Sequence, residues 1–128
     1  LNEERQNSFY GKLSLRSKQE KLEATQRLSE IIAPLYERYS SEMGISAKMQ
    51  IVFSATKSKW GSCCPKRGKI QFSLYLLLLP EWCIESVVVH ELCHVYEMNH
   101  GPRFYALMDK FFPRWKEARA TIKMAMNH

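Results

Sequence analysis

The stretch Ile84-Glu85-Ser86-Val87-Val88-Val89-His90-Glu91-Leu92-Cys93-His94-Val95-Tyr96-Glu97-Met98-Asn99-His100 decides how the rest of the chain is read. From Glu81 to about Met98, residues Ile84, Val87, Val88, Val89, Leu92, Cys93 and Val95 leave little polar surface, and a helix that is apolar nearly all round is a buried one. His90, Glu91 and His94 are out of place on such a helix. Two imidazoles and a carboxylate with no evident charged partner are expensive to bury unless something compensates them, and a bound dication would do so.

The spacing says how. His90 and His94 are separated by about 40° around a helix axis and about 6 Å along it, so both rings can grip one ion. Glu91 is offset by about 100°, which puts it beside a metal-activated water rather than on the metal. Zinc suits the site, because it takes neutral imidazole nitrogens in a tetrahedron and a catalytic site keeps one position open. In the expected reaction Glu91 takes a proton from the water that attacks a carbonyl and passes it to the leaving amine.

A third ligand is needed. On a continued helix His100 would lie about 9 Å beyond His94 and turned away. Asn99, Gly101 and Pro102 are residues that can stop the helix and let His100 swing back. Glu97 is the rival, on nearly the same face as His90 and His94 if the helix persists for one more turn. His100 is the preferred ligand, since a Glu at 97 can equally steady a ligand histidine from behind. For the developing oxyanion, Tyr75, Tyr96 and Tyr105 are candidate donors near in sequence.

Outward from this helix the fold reads as α+β. From Lys18 to Met43 the residues Leu22, Leu28, Ile32, Leu35, Tyr39 and Met43 recur at mainly helical intervals, with Pro34 bending or splitting the region and Gly44 ending it. Met49, Ile51 and Phe53, then Ile70, Phe72 and Leu74, alternate as strands do. Between them Lys57 to Gly68 offers a further extended piece and a turn, so a small antiparallel sheet of about three strands is expected. Tyr75 to Leu79 reads as a short helical turn, and Pro80 suits the first turn of the buried helix. Two C-terminal helices follow, one carrying Phe104, Leu107, Met108 and Phe111, the other introduced by Pro113 and carrying Trp115, Ala118, Ile122 and Met126.

Composition bounds these expectations. The 128 residues, 45% hydrophobic and 25% charged, suit a single globular domain, taken as residues 1–128. The longest apolar-rich run, Leu74 to Leu79, is far short of the roughly 20 residues a spanning helix needs, and Leu1 to Arg5 lack the layout of a secretory signal, so no membrane partner is expected and a cytoplasmic location is the default. A chain opening on Leu1 reads as a piece of a longer protein that lacks an N-terminal extension. Cys63, Cys64, Cys83 and Cys93 form no C-x-x-C pair and read as reduced packing residues. Lys and Arg outnumber Asp and Glu by 19 to 13, and Lys57, Lys59, Lys66, Arg67 and Lys69 cluster. That cluster motivates a second function class, a metal-containing module or protease that binds nucleic acid weakly through a basic hairpin; a solvated hairpin is the plainer account.

His90-Glu91-Leu92-Cys93-His94, then His100 and Phe104, preceded by Lys59-Trp60-Gly61-Ser62-Cys63, resemble the YgjP-like metallopeptidase domain, which is related to SprT-like and WLM zinc proteases. The likeness spans roughly Leu28 to Phe112. It implies a compact zincin core with a small sheet packed on a backing helix and the metal helix. It also implies His90, His94 and His100 as zinc ligands, Glu91 as the catalytic residue and a polypeptide substrate. The Trp60-to-Cys63 segment is implied near the cleft, with Gly61 admitting close backbone approach and Trp60 anchoring the core. Two departures stand out: Ser73-Leu74-Tyr75 replaces a usual asparagine after the strand, and a β-rich N-terminal extension is missing. Glu97 replaces the glycine of the metzincin motif, which argues against that group.

Overall fold

Ser17 opens the longest helix with a capping box, its hydroxyl accepting from the Glu20 amide at 3.0 Å while the Glu20 carboxylate accepts from the Ser17 amide at 3.0 Å. In the computed structural model, which describes residues 8–127, this helix α1 runs unbroken over Lys18–Glu42. The helix is not split at Pro34. Pro34 is exposed, and the turns on either side carry the helix through the one missing amide. Ala24, Leu28, Ile32 and Tyr39 form its buried stripe, whereas Leu22, read as part of that stripe, is 63% exposed. Gly44, at φ +70, turns the chain out of the helix. The readings of Leu1 and of residues 1–5 lie outside the described residues.

The strands are β1 (Gln50–Ser54), β2 (Gly61–Cys64) and β3 (Lys69–Ser73), in the spatial order β1-β3-β2. The sheet is mixed rather than antiparallel: β3 pairs antiparallel with β2 and parallel with β1. The cause is the order of the connections. The chain leaves β1, passes to the far edge to form β2, and returns through the 3-10 turn Pro65–Arg67 into the middle place. Gly68, left-handed at φ +61, makes that return, and its carbonyl accepts from the Gln50 amide at 2.7 Å. Ile70 and Phe72 on β3 are fully buried. Ser73 then caps the 3-10 segment Leu74–Leu78 by accepting from the Tyr75 amide, while its hydroxyl donates to the Thr56 carbonyl at 2.6 Å.

Helix α2 (Glu81–Cys93) is the centre of the molecule, packed against α1, β2, α3 (Pro102–Phe111) and α4 (Trp115–Met126). Of its 13 residues nine are buried, as its all-round apolar pattern requires. The Tyr39 hydroxyl donates to the Glu85 carboxylate, tying α1 to α2, and Arg38 pairs with the same carboxylate at 3.6 Å. The two C-terminal helices begin where proline and the aromatic spacing place them. All four cysteines are unbridged, Cys83 and Cys93 buried in the core.

Candidate active site

Helix α2 stops at Cys93, one turn earlier than its apolar run suggests, with His94 as its last cap residue and a turn through residues 94–96. This early stop bears on the competition for the third position. The chain doubles back, and the Nε2 atom of His100 lies 3.0 Å from that of His94 and 3.2 Å from that of His90. Glu97 points elsewhere: its carboxylate pairs with Arg103 at 3.8 Å. Its backbone carbonyl, however, lies 3.0 Å from Nδ1 of His94. A carbonyl only accepts, so His94 is protonated at Nδ1 and presents its Nε2 lone pair to the other two rings.

The donor set fits zinc. The imidazole nitrogens of His90, His94 and His100 all lie within 4.8 Å of one another. The Nε2 separations of 3.0 and 3.2 Å approach the about 3.4 Å edge of a tetrahedron with bonds of about 2.0–2.1 Å. Burial and the neighbouring rings, with a smaller contribution from Arg119, push the His90 imidazole down to about 4. Burial likewise lowers His94. Both rings are therefore neutral, the form that ligates a metal. Phe104, fully buried on α3, packs its ring 4.7 to 4.9 Å from all three imidazoles and forms the floor beneath them.

Glu91 is buried beside this trio, and burial raises its carboxyl to about 7, with the charge of Lys59 pulling the other way. Its neighbour is the start of β2. A methyl group built on Gly61 would come within 3.0 Å of both Cγ and Oε2 of Glu91 and 3.1 Å of the Gln71 carbonyl. A side chain at position 61 would thus crowd the Glu91 carboxylate and the β3 backbone, and glycine avoids both. Cys63, two residues on, is pushed up to about 11 by burial and by Glu91, which leaves it an inert thiol.

A cavity of about 360 Å³ opens next to His90 and Glu91. Trp60 reaches it from the turn before β2 and also packs edge-on to Phe9 at 6.2 Å, so it is both core anchor and cavity wall. Of the three tyrosines considered for the oxyanion, Tyr105 lines the cavity. Tyr96 instead donates to the Met43 carbonyl at 2.6 Å, and Tyr75 is buried against Tyr10 at 4.9 Å. The basic cluster is divided by the fold. Lys59 lines the cavity, Lys57 lies over the rings of Tyr10 and Tyr75, and Lys66 and Arg67 sit on the β2–β3 turn. Arg119 escaped the sequence reading as part of this site, because it is 19 positions past His100 on another helix and no local spacing relates them.

The fold has solved counterparts. The metallopeptidase zymogen abylysin of Pyrococcus abyssi superposes with a TM-score of 0.66 at 24% identity, covering 73% of this chain and 92% of that one. The metallopeptidase zymogen jannalysin of Methanocaldococcus jannaschii gives 0.65 at 20% identity, covering 73% and 94%. At such identities the likeness concerns the fold. Among curated proteins none matches. The YgjP-like metallopeptidase domain matches residues 2–125, nearly the whole chain and well beyond the span that carries the sequence resemblance. The chain belongs to the YgjP-like metallopeptidase family.

Proposed function

We propose that His90, His94 and His100 hold the zinc of this metallopeptidase and that Glu91 is its general base, in one catalytic domain formed by residues 1–128. The observation that supports this most is the convergence of three imidazole nitrogens, two pairs of them 3.0 and 3.2 Å apart, beside a buried carboxylate. Zinc, when bound, supplies a Lewis acid that polarises the scissile carbonyl and makes water acidic enough to give up a proton near neutral pH. The protein residues do the rest. The Glu97 carbonyl holds the His94 ring in one tautomer, and Phe104 fixes the tilt of all three rings. Glu91 accepts the proton from the attacking water and returns it to the amine as the C–N bond breaks, leaving a carboxylate and an amine as products. Gly61 keeps β2 clear of the carboxylate during both transfers.

The substrate class is a polypeptide, and no observation favours the nucleic-acid alternative. A peptide-library digest with zinc-loaded wild type and Glu91→Gln tests the assignment. The variant is expected to keep its zinc and lose about 10²- to 10⁴-fold in turnover, the usual worth of a positioned acid–base group. Equal cleavage by the two proteins would move the base elsewhere.

A further inference from the structure

The cavity beside His90 and Glu91 is larger than the attack on a bare peptide bond requires. Its volume of about 360 Å³ falls in the range of about 300–1,000 Å³ in which pockets bury most of a small ligand. Its walls are of two kinds. Trp60, Val87, Met108, Trp115 and Ile122 give it an apolar interior, while Lys59 from the connection before β2 and Arg119 from α4 add two cations. Among the described residues that line it, Glu91 is the one carboxylate.

Arg119 is exposed, and its position is set by a neighbouring ring. Its guanidinium lies over the Trp115 ring at 4.9 Å. Trp115 is fixed in turn by stacking on Tyr105 at 4.8 Å and by donating its indole N–H to Asp109 at 2.7 Å. A guanidinium stacked on a ring keeps its edge N–H groups for a planar acceptor. Among the described residues no ion pair occupies Arg119. A positioned, unpaired guanidinium at an apolar pocket fits a carboxylate in two-point contact.

We propose that this cavity selects substrate residues with a large apolar side chain beside the scissile bond, and that Arg119, with Lys59 adding positive charge, receives a carboxylate next to that side chain. The carboxylate is either the C-terminus of the substrate or the side chain of an adjacent Asp or Glu. This selectivity rests on the reading of His90 and Glu91 as the hydrolytic centre, and it adds to that reading what the substrate must carry.

Binding tests it apart from turnover. Trp60 and Trp115, two of the three tryptophans, line the cavity, so tryptophan fluorescence reports occupancy. Zinc-loaded Glu91→Gln protein is titrated with peptides of one sequence placing Phe at the cavity. They end in a free acid, in a carboxamide, or in a carboxamide with Glu for Gln at the next position. One of the two carboxylate peptides is expected to bind about tenfold more tightly than the plain carboxamide, which identifies the source of the carboxylate. Adding Arg119→Gln closes that gap, and Arg119→Lys retains part of it. Replacing Phe by Ala in the peptide weakens binding about tenfold at either end group. A gap that survives Arg119→Gln places the carboxylate on another group and overturns the proposal, as does equal binding of acids and carboxamide. Peptides that bind as expected yet are not cleaved by wild type refute the hydrolytic reading, whereas cleavage without any carboxylate preference refutes the selectivity alone.

Discussion

Glu91 has its role from two neighbours of opposite kind. His90, one residue before it, is a proposed metal ligand, and Gly61, distant in sequence, leaves room for its carboxylate. Adding a methyl group at position 61 pushes against Cγ and Oε2 of Glu91 at 3.0 Å. Relieving that contact moves the carboxylate by a few tenths of an ångström, and rates are sensitive to such misplacement of a reacting group. Gly61→Ala is therefore expected to lower kcat by about 10- to 100-fold while KM and bound zinc stay near wild type; steady-state kinetics with zinc analysis on the same sample checks this. Phe104 is different in kind, since it supports all three imidazoles at once. Phe104→Ala is expected to destabilise the fold by about 3–5 kcal/mol in urea unfolding and to weaken zinc binding as well. At this scale the sequence was informative about His90, Glu91 and His94, because a buried helix gives those groups few other reasons to be there. It said that Gly61 admits a close approach, but Glu91 as the approaching group depends on how β2 meets α2, which no spacing encodes.

Helix ends carry the next level of information. The apolar run through Val95 suggests that α2 continues, yet it stops at Cys93. Stopping leaves the Glu97 carbonyl free of a helical partner and available to Nδ1 of His94, and it swings His100 back onto the other two rings. The condition on which His100 depended, an end before Asn99, is met with residues to spare. The mixed pairing of the sheet escaped the sequence for a related reason. Alternation of apolar residues identifies strands, but the passage of the chain to the far edge before it returns as β3 lies in loop geometry. At Pro34 the split that the sequence allowed is absent, since a long capped helix continues through one proline. That tolerance predicts a measurable strain. Pro34 is exposed and has little packing to lose, so Pro34→Ala is expected to stabilise the protein by about 1–3 kcal/mol in urea unfolding, with peptidase activity unchanged.

Across the whole molecule, α2 is the beam against which α1, β2, α3 and α4 pack, and the proposed catalytic groups sit where it ends. α1 holds it through Tyr39 and Glu85, β2 meets it at Gly61, and α3 and α4 supply Phe104 and the cavity wall. Zinc on the proposed ligands would join the end of α2 to the following turn, so binding it would stabilise the folded chain by mass action. Chelation is expected to lower Tm by on the order of 10 °C, with recovery on adding zinc, as scanning calorimetry can record. The α+β class and the order of elements were readable from periodicity, while Arg119 and Lys59 meet at the cavity through tertiary packing alone. The central claim concerns the three histidines, and X-ray absorption at the zinc edge tests it most directly. The spectrum of the reconstituted protein is expected to show three imidazoles at about 2.0–2.1 Å, falling to two in His100→Ala. Sulfur at about 2.3 Å, or two imidazoles with a carboxylate in an unchanged His100→Ala spectrum, would contradict it.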